Sequence, residues 1–109
     1  MTVKYECIFQ YEATNALADA YTVPANTQHV VSTISITNFA GGVDWITLKI
    51  AKAGAADDNS QFIYPTLPID PLDTFQDIAG MNLSAGDIVR IQSSSNNAIT
   101  VSFFGSTIT

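Results

Sequence analysis

Apolar and polar residues alternate one by one through most of this chain, and only a β-sheet sorts a period of two onto separate faces. Val3, Tyr5, Cys7, Phe9 and Tyr11 fall on one side of the first segment, with Lys4, Glu6, Gln10 and Glu12 opposite. Ile8 alone is out of step. The segment is predicted to be a long strand with one buried face. Over residues 29–39 the pattern returns, with Val30, Ile34 and Ile36 in phase. Gly41-Gly42 is then a two-residue hairpin signal, and the strand after it carries Ile46, Leu48 and Ile50 inward and Trp45, Thr47 and Lys49 outward.

Residues 61–64, 88–91 and 99–108 read as further strands, and residues 73–78 as a short strand or a single helical turn. Pro68 and Pro71 confine residues 66–72 to a sheet edge or an extended connection. Pro24-Ala25-Asn26-Thr27 and Ser84-Ala85-Gly86-Asp87 are turns. No segment has a helical period. The expected fold is all-β, an antiparallel β-sandwich with roughly seven to nine short strands and no substantial helix. One domain spans residues 1–109, with residues 1–19 as an N-terminal strand that could serve as an arm and residues 20–109 as the sandwich body.

Charge narrows the partners. The net charge is −6, and the four basic residues, Lys4, Lys49, Lys52 and Arg90, are scattered. Binding to phosphate backbones or anionic membranes needs a basic stripe, so neither nucleic acid nor membrane is an expected partner. The opening MTVKYECIFQ lacks the continuous apolar run of a signal peptide, which leads to the expectation of a soluble chain made in the cytoplasm. Charged residues are 13% of the chain, about half the usual share, while 47% are apolar. A surface so poor in charge is expected where neighbouring subunits cover it.

Few residues invite chemistry. His29 stands alone as a histidine, with no nucleophile motif beside it, and reads as a solvent-facing or interfacial imidazole. Cys7, in phase with the apolar side of its strand, reads as a buried, inert thiol. Asp57-Asp58 and the set Asp70, Asp73 and Asp77 lack the spacing of a calcium loop and read as solvated loop carboxylates. Asn82-Leu83-Ser84 matches a glycosylation sequon without the secretory context that gives it meaning. No catalytic residue, cofactor or metal is expected, and a small hydrolase is the weakest of the rival functions. The aromatic residues are more informative. Phe103 and Phe104 are neighbours on one strand and must face opposite ways, and Trp45 is out of phase with its strand. Val3, Tyr5, Phe9, Phe39, Trp45 and Phe104 are therefore the candidate interface residues.

Four motifs follow one another in order: Tyr21-Thr22-Val23-Pro24-Ala25-Asn26-Thr27; Val30-Val31-Ser32 with Ile34 and Ile36; Leu83-Ser84-Ala85-Gly86-Asp87-Ile88-Val89-Arg90-Ile91; and Val101-Ser102-Phe103-Phe104-Gly105. The succession resembles a pattern in small virion proteins of tailed bacteriophages, from about residue 20 onward, with residues 1–19 outside it. The resemblance implies a β-sandwich or jelly-roll-like unit, often trimeric, that decorates a capsid or belongs to the tail apparatus, and it implies no catalytic residues. The expected function is a capsid decoration or cement protein contacting itself, as a homotrimer, and head subunits in the virion. A tail, baseplate or fibre component, with carbohydrate binding through exposed aromatics, is the alternative.

Overall fold

In a computed structural model, which describes residues 1–78 and 80–109, nine strands form two antiparallel sheets. The strands are β1 (Val3–Glu12), β2 (Ala18–Thr22), β3 (Gln28–Asn38), β4 (Asp44–Ala51), β5 (Phe62–Ile69), β6 (Thr74–Asp77), β7 (Met81–Ser84), β8 (Ile88–Ser93) and β9 (Ile99–Ile108). Sheet 1 has the order β1-β9-β3-β6, with β7 also paired to β3; sheet 2 has the order β2-β8-β4-β5. The pairs β4·β5, β3 with β6 and β7, β2·β8 and β1·β9 are those of one long hairpin, and the pairs β3·β9 and β4·β8 roll it up. That is jelly-roll order: the alternating sequence led us to expect an antiparallel sandwich, and the resemblance implied the jelly-roll form.

Two expectations about facing are overturned for one reason. β1 has an irregularity between Cys7 and Phe9, so Ile8 is an extra residue in the ladder. β3 has the same irregularity between Val31 and Thr33, which makes Ser32 the extra residue. The two bulges lie against adjoining steps of β9, Ile8 at Phe103–Phe104 and Ser32 at Phe104–Gly105. A single extra residue moves every side chain beyond it to the other face. Phe9 and Tyr11 therefore pack against the core, whereas Val3, Tyr5 and Cys7 are exposed, and Glu6 takes an inner position opposite Gly105. The first strand thus does not bury one uniform face, and Cys7 is not a buried thiol. Val30 likewise points out, while His29 and Val31 point in, out of phase with Ile34 and Ile36.

Gly105 is required at this crossing. A Cβ built on it would lie 2.0 Å from the carbonyl oxygen of Val30 on the neighbouring strand. The core between the sheets holds Val31, Ile34, Ile36, Leu83, Ile99, Val101 and Phe103 from sheet 1 and Ile46, Leu48, Val89 and Ile91 from sheet 2. Asn38 is fully buried among them. Its amide donates to the carbonyls of Gly42 and Ile69, both at 2.9 Å, and its Oδ1 accepts from the Ala40 N–H. These bonds bend the chain from sheet 1 into sheet 2 at residues 39–43, so Gly41-Gly42 belongs to a corner and not to a two-residue hairpin. Asp87 does a similar job in the turn before β8, accepting from the backbone N–H groups of Ser84 and Ala53. Its neighbour Gly86 has the left-handed φ of 88° that this turn needs. Residues 73–78, left as strand or helical turn above, contain strand β6.

The Gly105→Ala variant is expected to lose more than about 3 kcal/mol of stability, because the obstacle is backbone and not a movable side chain. Chemical denaturation followed by circular dichroism checks this; a loss under about 1 kcal/mol would mean the strands approach less closely than described. Asn38→Ala is expected to cost about 2 kcal/mol or more by leaving the Gly42 and Ile69 carbonyls without donors.

Candidate functional site

The outward residues of sheet 1 form five rows across its strands. Val3, Ile108, Gln28 and Ser84 make the first; Tyr5, Ser106, Val30 and Asn82 the second; Cys7, Phe104 and Thr33 the third. Gln10, Ser102, Ser35 and Gln76 follow, then Glu12, Thr100, Thr37 and Thr74. Glu12 is the one charged residue in these rows, and it stands at a corner. Tyr5 is 84% exposed and Phe104 38% exposed, with Val3 and Val30 between those values. The face thus carries apolar side chains among uncharged polar ones over three rows, and hydroxyl and amide groups over the other two.

The outside of sheet 2 is built differently. Asp19, Arg90, Lys49 and Phe62 form one row across β2, β8, β4 and β5. Arg90 Nε lies 2.9 Å from Asp19 Oδ1, and Lys49 Nζ lies 2.6 Å from Asp57 and 4.2 Å from the centre of the Phe62 ring. Lys49 faces outward, as its phase in the strand predicts, yet is only 5% exposed because Asp57 and Phe62 cover it. This surface satisfies its own charges.

The expected interface residues therefore separate into groups. Val3, Tyr5 and Phe104 come together on the outside of sheet 1. Phe9 turns inward, stacked 4.6 Å from Tyr21 with an interplanar angle of 4°, and 4.6 Å from Phe103. Trp45 is half-buried opposite Pro68, on sheet 2. Phe39 is exposed at the corner between β3 and β4, where Val43 and, in the adjoining 70–73 connection, Leu72 are exposed as well. The backbone bond from Asn38 N–H to the Asp73 carbonyl joins the two connections, giving an apolar tip that the sequence did not single out.

His29 also departs from expectation: it is 3% exposed, held in a chain of hydrogen bonds across both sheets. The Thr107 hydroxyl donates to Glu6 Oε2 at 2.6 Å. With that proton committed, Thr107 Oγ1 accepts from His29 Nδ1–H at 3.0 Å. The imidazole is then the neutral tautomer whose Nε2 accepts from the Tyr21 hydroxyl at 2.7 Å. Lys4 Nζ lies 3.4 Å from Glu6. Both ring nitrogens are occupied, and a hydroxyl stands between imidazole and carboxylate, so the order differs from that of a nucleophile, base and acid relay. The chain ties β1, β2, β3 and β9 together. Sequence reasoning missed it because its members lie at positions 6, 21, 29 and 107.

Burial pushes His29 below its ordinary 6.5, against the opposing pull of Glu6. The Thr107 hydrogen bond, aided by Lys4, holds Glu6 below its ordinary 4.5. The loop carboxylates are engaged too. Asp58 accepts from Ser60, which lowers it, and Asp77 accepts from the Tyr64 hydroxyl, which together with burial raises Tyr64. Comparison with protein-family models, curated proteins and solved structures finds no match.

A lowered histidine takes up its proton more readily in the unfolded chain than in the folded one. Its contribution to stability is complete above about pH 6.5 and falls away as the pH drops toward its folded value. Glu6 adds a second loss, starting below about pH 4.5. Unfolding midpoints in urea are expected to fall between about pH 7 and about pH 5.5 in the wild type and to stay nearly level in His29→Gln. An equal fall in the two proteins would remove His29 from the account.

Proposed function

We propose that this chain is a structural subunit of a tailed-bacteriophage virion, a capsid decoration protein that works by surface contact and without catalysis. The observation that carries the proposal is the outer face of sheet 1. In a chain of net charge −6 it presents three rows with exposed apolar side chains and a single carboxylate. Isolated surface hydrophobes need no explanation, but a contiguous apolar area rimmed by polar groups marks a contact site. Jelly rolls recur in capsid, lectin and cupin domains, so the fold agrees with this role without selecting it. The motif succession from residue 20 onward adds its weight.

Two surfaces suit two contacts. Copies of the chain meet through the outer face of sheet 1, and head subunits take the apolar tip formed by Phe39, Val43 and Leu72. Cryo-electron microscopy of purified virions is expected to show the chain on the head shell. Heads stripped of it are expected to bind the wild-type chain at least tenfold more tightly than Leu72→Lys. Density on the tail would replace decoration by a tail role, and absence from the virion would end the proposal.

A further inference from the structure

We infer that the outer face of sheet 1 pairs with the same face of a second copy, in a two-fold contact centred on Tyr5, Cys7 and Phe104. This rests on the proposed structural role and deepens it by giving the contact between copies its symmetry and its centre.

Sheet proteins also assemble by pairing edges, and here every edge is guarded. β1 carries the Ile8 bulge and turns Lys4 and Glu6 to the inner side of the edge. β2 has five residues and a bulge between Asp19 and Tyr21. β5 contains Pro65 and Pro68, with Thr66 at a φ of 45°. β6 and β7 are four residues each. The outside of sheet 2 is closed by the Asp19–Arg90 and Lys49–Asp57 ion pairs.

Charge then selects the occupant. Two copies of an acidic chain repel, and the surface on which they approach at least cost is the one without charge. A partner chosen for opposite charge would need carboxylates here to recognise, and Glu12 alone is present. A same-face contact is isologous, each residue meeting its own counterpart or a two-fold partner. With the axis across the strands between the Tyr5 and Phe104 rows, those two rows meet each other, and the Val3 row meets the uncharged row of Gln10 and Ser102. The two Glu12 carboxylates then lie about 34 Å apart, at a strand rise of about 3.4 Å per residue. That exceeds the ~8–10 Å over which salt screens charge.

The area suffices. Four rows of about 6.8 Å by four strands of about 4.8 Å give roughly 500 Å² on each copy, or about 1,000 Å² in all. This reaches the lower bound of a specific interface and predicts a pair that dilution separates.

Cys7, the single cysteine, lies in the third row and reports on the contact without any substitution. Sedimentation equilibrium of the full chain is expected to show reversible dimers, and the reaction of Cys7 with a thiol reagent is expected to slow as protein concentration rises. Tyr5→Lys and Phe104→Lys are expected to raise the dissociation constant at least tenfold and to abolish the protection of Cys7, with Leu72→Lys leaving both unchanged. A monomer at every concentration up to about 0.1 mM, a trimer, or a dimer in which Cys7 reacts at a constant rate would overturn the pairing. Monomers that still decorate heads would sink this inference and spare the virion role. Dimers absent from every virion would do the reverse.

Discussion

Ile8 and Ser32 are each one residue more than β9 can pair with, and the facing of everything before them follows from that mismatch. The two extra residues flank Phe104, Ile8 against the Phe103–Phe104 step and Ser32 against Phe104–Gly105, where the backbone of β3 comes too close to Gly105 for any side chain. Without the first bulge Val3, Tyr5 and Cys7 would face the core and Glu6 would face solvent. With it, the apolar side chains are displayed on the outside of sheet 1 and the carboxylate reaches Thr107. The second bulge does the same for Val30 and His29. The bare face and the buried histidine chain are two consequences of one register.

The two sheets treat their outer surfaces in opposite ways. Sheet 2 gathers two of the four basic residues and pairs them with Asp19 and Asp57, so its surface is electrostatically complete. Sheet 1 leaves Val3, Tyr5, Val30 and Phe104 exposed among uncharged polar side chains, arranged on a regular lattice of rows. Such a face gains by being covered, whereas the ion-paired face loses its hydration when covered. Buried polar groups are handled strictly throughout: among the described residues no buried side-chain nitrogen or oxygen lacks a partner. Asn38 and Asp87 illustrate why, since each serves several backbone groups where the chain turns between sheets.

Alternation is a local property, and most of the strands could be read from it. So could the opposed facing of Phe103 and Phe104, the displacement of Trp45 from its strand's inner side, and the edge position of the proline-bearing β5. The candidate interface residues divide. Val3, Tyr5 and Phe104 lie together on the outside of sheet 1, but Phe9, in perfect sequence phase with Val3 and Tyr5, turns inward against Tyr21 and Phe103. The apolar tip was not legible, because Phe39, Val43 and Leu72 become neighbours only when Asn38 bonds to Asp73.

By itself, then, the sequence determined an all-β chain with strands and turns in a definite succession and few charged side chains. The tertiary structure alone decided which side of sheet 1 each residue occupies and which distant residues meet. The physical reason is that a bulge has no compositional mark. Ile8 and Ser32 are ordinary strand residues, and only their pairing against β9 makes them supernumerary.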